Sequence, residues 1–178
     1  GVTGHSPALA INVGSTTSPI PETFLKCIER HEWCMREIRT EIEIDAPPEA
    51  VWTRLTDLAS YEEWNPHIPH ASGDLREGAP LEITVDRINS SNRTMTVRTS
   101  KIDPPRRLQW IGTVGSKWIF QGIHTFELNP LDGDRTRFIN HEQLTGILVP
   151  FVVSDEPQRD YARMNEALKG RVEEQTTS

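Results

Sequence analysis

No stretch of this chain comes near the roughly 18 consecutive apolar residues that a membrane-spanning helix needs, so no helical span is expected. Basic residues are outnumbered, 19 Lys and Arg against 26 Asp and Glu, for a net charge of −7 and a pI near 5.4. Nucleic-acid phosphates would be repelled unless a basic patch were concentrated locally, and none is. The densest cluster, Arg106-Arg107 after Pro104-Pro105, is short and reads as the cap of a turn. Nucleic acid is therefore excluded as a partner.

Cysteine is scarce as well. Cys27 and Cys34 lie two helical turns apart in a stretch of helical character, a spacing that does not suit a disulfide within one helix, and reduced thiols are expected. His31 is the one further soft ligand nearby, too few for a metal centre. Also missing are a phosphate-cradling loop, a Gly-x-Ser-x-Gly elbow, histidines paired at i and i+4, a nucleotide fingerprint, and partners for a Ser or Cys triad. Neither a metal nor a cofactor is expected. Gly1 to Pro21 shows no basic leader followed by an apolar run, which favours a cytoplasmic location. The glycosylation tripeptides at Asn89 and Asn92 are read as chance matches.

What is present suits one domain with an appendage: 178 residues, 35% apolar and 25% charged. Residues 1–36 read as an arm rich in Gly, Ser, Thr and Pro, followed by a short helix from Pro21 to about Arg36 that carries Phe24, Leu25, Ile28 and Met35. The domain is placed at 37–175. Ile38, Thr40, Ile42 and Ile44 alternate with charged residues, the period of a half-buried strand. Ala46-Pro47-Pro48-Glu49 then opens a helix whose apolar stripe is Val51, Leu55 and Leu58, with Trp52 beside it. A second short helix over Ser60 to Asn65 stops at Pro66, and the chain runs extended through His67-Ile68-Pro69-His70.

Strands are predicted at Leu81 to Ile88, Met95 to Ile102, Arg107 to Val114, Ile119 to Leu128 and Arg135 to Leu144, separated by turn residues. From about Ser154 to Glu174, Tyr161, Met164, Leu168 and Val172 recur at intervals of three and four: a long amphipathic helix with Ser154 or Asp155 as its cap. The plan is α+β, a curved antiparallel sheet of about seven strands wrapped around a long C-terminal helix, with two short helices after the first strand. A sheet gripping a helix in this way leaves a space between them for a ligand.

Several segments in order carry a resemblance: Glu43-Ile44-Asp45-Ala46-Pro47-Pro48-Glu49-Ala50-Val51-Trp52, then Tyr61-x-x-Trp64-Asn65-Pro66, His124-Thr125-Phe126-Glu127-Leu128, Arg135-Thr136-Arg137-Phe138, Glu142-x-x-x-Gly146-Ile147-Leu148-Val149-Pro150 and Met164-Asn165-Glu166-Ala167-Leu168-Lys169. Over about residues 37–174 the chain resembles the START-related helix-grip superfamily, also called SRPBCC, and within it most strongly the polyketide cyclase/dehydrase-like branch. The resemblance implies the helix-grip fold, a deep apolar cavity, and a role among lipid carriage, hormone sensing and aromatic cyclisation. It implies no shared catalytic motif, so function has to be argued from the site. Residues 1–36 depart from the usual plan.

If Phe126 faces Phe138 across the Asp132-Gly133-Asp134 hairpin, His124 falls opposite Asn140 and Glu142 opposite Gly122, all on the concave face. A buried Glu beside a His can form an acid/base pair, because desolvation raises the carboxyl while a neighbouring imidazolium lowers it. The same three groups can instead satisfy one another and fix the register, or orient a ligand. His141 is expected to point outward.

Leu81, Ile83 and Val85, with Trp110, Phe126 and Phe138, form an apolar wall, and Tyr161 and Met164 on the closing helix line the opposite side. Trp64 and Asn65 sit at the cavity mouth in this kind of fold. Tyr61, Trp64, Trp110, Trp118 and Phe120 serve as packing residues more readily than as ligand contacts.

Three functions remain. First is a carrier or sensor binding a small hydrophobic or aromatic molecule. Second is a cofactor-free cyclase, dehydratase or isomerase of a polyketide-like substrate using His124, Glu142 and Asn140. Third is a protein-interaction adaptor working through residues 1–36. The sequence leaves oligomeric state open.

Overall fold

In the computed structural model the described residues are 35–86, 91–152 and 157–176. They form β1 (Met35–Ile44), α1 (Pro48–Thr56), a 3-10 turn (Leu58–Ser60), α2 (Tyr61–Trp64), β2 (His70–Gly73), β3 (Pro80–Val85), β4 (Arg93–Asp103), β5 (Arg107–Val114), β6 (Phe120–Leu131), β7 (Arg135–Thr145), α3 (Val149–Val152) and α4 (Pro157–Thr176). The expected arm and helix up to residue 34, with Cys27, His31 and Cys34, lie outside the described residues, as do Asn89 and the helix-cap residues Ser154 and Asp155.

The seven strands make one antiparallel curved sheet in the order β1-β7-β6-β5-β4-β3-β2, the helix-grip fold. Strands β2 to β7 meander, and α1 and α2 carry the chain from one edge to the other. The inward residues of β1 behave as their alternation predicts: Ile38 and Ile44 are buried at 1% and 0% exposure. The strand nevertheless opens at Met35. Its ladder with β7 continues through Arg36↔Leu144 to Met35↔Thr145, and those backbone bonds override the local helical spacing of the apolar residues. On the far edge, β2 is a strand the sequence pattern does not show, since four residues paired only with β3 are too short for a period to register.

The hairpin between β6 and β7 sets the geometry of the concave face. Leu131 pairs with Arg135, and the loop is Asp132-Gly133-Asp134 with φ of 73° at Gly133 and 54° at Asp134, both left-handed. The ladder is therefore shifted by two residues from the expected one: Leu128 lies opposite Phe138, Phe126 opposite Asn140, His124 opposite Glu142 and Gly122 opposite Leu144. A slip of two leaves every side chain on the face assigned to it.

Helix α4 closes the grip on β1, β7, α1 and α2. Tyr161, Met164, Leu168 and Val172 are buried, as their spacing predicts. Polar contacts set the helix along its axis. Lys169 Nζ donates to the Glu43 carbonyl at 2.8 Å, and Glu173 Oε1 accepts from the Asp45 amide at 2.8 Å. Between sheet and helix, Val51, Leu55, Leu81, Ile83, Trp110, Phe126, Phe138, Met164 and Leu168 belong to one apolar cluster. A smaller one joins Ile38, Leu144, Val149 and Tyr161, with Phe120 packed against it.

Candidate functional site

Where the two clusters meet, the concave face carries a buried polar network. His124 on β6 and Asn140 on β7 both point inward, and His124 Nε2 lies 2.6 Å from Asn140 Oδ1. Asn140 Nδ2 donates to Asn165 Oδ1 on α4 at 3.0 Å and lies 3.7 Å from Met164 Sδ. Asn165 Nδ2 in turn donates to Thr40 Oγ1 on β1 at 3.0 Å. A single relay thus ties β6, β7, α4 and β1 together. The contact with the thioether, a weak acceptor, favours the NH2 side of Asn140 at that position and so leaves Oδ1 facing the imidazole. His124 therefore carries its proton on Nε2 and presents a lone pair at Nδ1.

Glu142, opposite His124 on the ladder, accepts a short hydrogen bond from the Tyr161 hydroxyl. Gly122 makes room for it: a Cβ there would stand 2.9 Å from Glu142 Oε1 and 3.2 Å from Leu144 Cδ2. The Tyr161 ring is flanked by two imidazoles. His124 stacks on it with centroids 5.2 Å apart, and His67 meets it edge-on at 4.8 Å. Trp110, Phe126 and Phe138 continue the ring contacts inward, with centroid separations of 5.1 Å for Trp110–Phe126 and 5.9 Å for Phe126–Phe138.

Electrostatics at this point are dominated by burial. His67 is 6% exposed, and desolvation, helped by His124 and Arg163, pushes its pKa from 6.5 down to about 3 against the opposing effect of its bond to the Asp86 carbonyl. Burial likewise holds His124 below the ordinary value, although Glu142 and the Asn140 bond act upward. Both rings are neutral at pH 7. Beside Glu142, His124 is thus a neutral imidazole. The Tyr161 phenol is driven well above its usual range by burial and then by Glu142. It stays a proton donor.

His67 is the member of this site that the sequence pattern does not reveal. It follows a proline in an irregular stretch, where no period marks which way a side chain points. Its placement comes from Asn65, whose Oδ1 accepts from the His67 and Ile68 amides at 3.0 and 2.8 Å. His67 Nδ1 lies 3.2 Å from the Asp86 carbonyl, which can only accept, so Nδ1 holds the proton and Nε2 the lone pair.

Of the residues singled out from sequence, His124, Asn140, Glu142, Tyr161 and Met164 meet at this point, with Trp110, Phe126 and Phe138 against them. Leu81 and Ile83 are buried and Val85 is half-buried, three strands away at the other side of the grip. Trp64 packs on Tyr61 and donates from Nε1 to Ser60 Oγ at 3.3 Å. Asn65 builds the turn that carries His67. His141 is half-buried and pairs with Glu37 at 2.9 Å. Trp118, expected as a packing residue, is 54% exposed and belongs to neither apolar cluster. Two surface concavities lie elsewhere, one of about 370 Å³ along the β2 edge and one of about 570 Å³ on the outward face of β4 and β5. Among the described residues no group of His, Cys, Asp and Glu is arranged to hold a metal.

A family model described as polyketide cyclase / dehydrase and lipid transport matches residues 35–177. Among curated proteins none matches the sequence. Solved structures share the fold. The Zhui aromatase/cyclase from Streptomyces sp. R1128 superposes with a TM-score of 0.63 at 18% identity, covering 80% of this chain and 96% of that one. Norcoclaurine synthase from Thalictrum flavum, in complex with dopamine and hydroxybenzaldehyde, gives 0.61 at 15% identity over 83% and 91%. TTHA0849 from Thermus thermophilus gives 0.62 at 19% identity over 78% and 98%.

Proposed function

We propose that this chain, which belongs to the polyketide cyclase / dehydrase and lipid transport family, binds a small, largely apolar molecule between its sheet and α4, and holds that molecule's hydroxyl group at the polar end formed by His67, His124 and Glu142. The observation that carries the reading is the protonation pattern. Each imidazole spends its one N–H on a protein acceptor, His124 on Asn140 and His67 on Asp86, and Glu142 offers only oxygens. What these three residues leave for a ligand is acceptor capacity, which suits a phenol or enol and repels a carboxylate or phosphate. The surrounding Trp110, Phe126 and Phe138 rings suit an aromatic body.

Isothermal titration with 2-naphthol and 2-methoxynaphthalene tests this, since the two share a shape and differ in the donor. The naphthol should bind at least about 10-fold more tightly, the worth of roughly one hydrogen bond to a buried acceptor. Equal affinities, or no binding of either, would overturn the reading.

A second reading, a cofactor-free cyclase, dehydratase or isomerase, is favoured by one observation: the Tyr161 hydroxyl donates to Glu142 on the face shared with the His124 lone pair, so a proton donor and two proton acceptors adjoin one another. Exchange of the α-protons of 2-tetralone in heavy water, followed by NMR, reports enolisation. Catalysis predicts exchange above background that Glu142→Gln and His124→Phe abolish at saturating 2-tetralone while the fold is retained. Background exchange with the wild-type protein rejects it.

A further inference from the structure

Among the described residues the exposed large apolar side chains are Met35, Val114, Trp118, Ile119 and Ile147, exposed by 69%, 48%, 54%, 38% and 57%. They all lie at one end of the sheet. Val114 closes β5, Trp118 and Ile119 occupy the turn into β6, and Ile147 follows β7. Met35 opens β1 opposite Thr145, which is also paired with Gln121 at the start of β6. Such a concentration departs from the scattering of single apolar residues usual on a soluble surface.

The end is firmly built. The Ile147 amide donates to the Trp118 carbonyl at 3.1 Å and the Leu148 amide to the Ile119 carbonyl at 3.0 Å, while Ile119 and Phe120 both donate to the Ser116 carbonyl at 2.9 and 3.0 Å. Gly146, at φ 115°, permits the close approach: a Cβ there would sit 2.4 Å from the Ile119 carbonyl oxygen. These turns therefore satisfy several of their backbone amides internally.

Charge distinguishes this end from the rest of the molecule. In a chain of 26 acidic residues, residues 112–122 and 143–152 contain none, and their one charged side chain is Lys117; on β1, Arg36 and Glu37 follow Met35. Its ammonium lies 5.5 Å from the Trp118 ring centroid. An indole and a lysine beside aliphatic side chains, carried on two segments without an acid, match the chemistry of a bilayer interface, where apolar groups enter the acyl boundary and a lysine reaches up to anionic headgroups.

We propose that this end of the sheet is a membrane-docking tip, inserted shallowly and reversibly into an anionic lipid surface. No helix of the described residues is long and apolar enough to cross a membrane. Phe120 joins the tip to Ile38, Leu144, Val149 and Tyr161, and docking would place the lipid beside the apolar cluster that ends in the Tyr161–Glu142 pair. Docking of this kind does not depend on which ligand the interior takes.

The test is flotation of the full chain with phosphatidylcholine vesicles containing phosphatidylglycerol. The wild-type protein should float with the vesicles. Trp118→Ser combined with Ile147→Ser should reduce the bound fraction at least about 10-fold, because binding strength follows buried apolar area. The unfolding midpoint of each variant, measured alongside, separates a loss of docking from a loss of fold. Lys117→Glu should weaken binding about fivefold on these vesicles and less on pure phosphatidylcholine. A wild-type protein that stays in the soluble fraction, or a double variant that floats equally well, overturns the proposal. So does a wild-type dimer in sedimentation velocity that the double variant loses, since the tip would then be covered by a second copy of the chain.

Discussion

Acidification should destabilise this protein through two imidazoles, and replacing either one should remove a definite part of the effect. In the unfolded chain His67 takes up a proton as pH falls through its ordinary value of 6.5, whereas in the folded chain it stays neutral down to about 3. The stability tied to its neutral form is therefore complete above 6.5 and is lost as pH falls below it. Each pH unit below the ordinary value costs about 1.4 kcal/mol, so the loss reaches about 2 kcal/mol by about pH 5. His124 is displaced in the same direction by the same cause and adds a loss of the same sign. Urea unfolding at about pH 7.5 and about pH 5 measures the difference and stays above most of the carboxylate range.

Two replacements keep the hydrogen bonds while removing the titration: His67→Asn, whose amide can still donate to the Asp86 carbonyl, and His124→Gln, whose amide can still donate to Asn140. His67→Asn should lose about 2 kcal/mol less than the wild type between the two pH values, and His124→Gln should also lose less, whatever the stability of each variant at about pH 7.5. Equal losses in variant and wild type would refute the reasoning, because they would mean that the rings are protonated in the folded state or already neutral in the unfolded one.

Gly122→Ala should leave stability within about 1 kcal/mol of the wild type, since the atoms it meets are the ends of the flexible Glu142 and Leu144 side chains and the backbone gain offsets their displacement. By moving Glu142 it should weaken 2-naphthol binding at least about 10-fold, a loss visible in the titration. Tyr161→Phe removes the donor to Glu142 while keeping the ring against both imidazoles. Because Glu142 is half-buried and water can replace part of the bond, the cost should be about 1 kcal/mol, read as a fall of about 2 to 4 °C in Tm.

The framework of the fold is legible in the sequence wherever a period repeats often enough to be counted. Ile38 to Ile44 declare a half-buried strand, and Tyr161, Met164, Leu168 and Val172 declare the inner face of α4. The face of each β6 and β7 residue is also legible, because side-chain alternation survives a slip of two residues. The register itself is not. It depends on the left-handed Asp134, a non-glycine residue whose backbone choice the sequence does not announce. His67 is hidden for a related reason, since its direction is imposed by the amide bonds to Asn65 rather than by any repeat. That the imidazoles are neutral depends on burial from several elements at once, a sum no local pattern contains. Met35 has helical spacing locally yet lies in a strand, because it is fixed by a partner, Thr145, far along the chain.

Two neutral imidazoles that keep one ring nitrogen each available for a ligand's proton are the centre of the proposed site. Long-range 1H–15N spectra of the histidine side chains, recorded during a titration with 2-naphthol, observe those nitrogens directly. The expected result is neutral tautomers at pH 7 with the proton on Nδ1 in His67 and Nε2 in His124, and saturable shifts at His67 Nε2 and His124 Nδ1 as the naphthol binds. Imidazolium signals from either ring, or resonances that stay fixed while the naphthol saturates the protein, would contradict it.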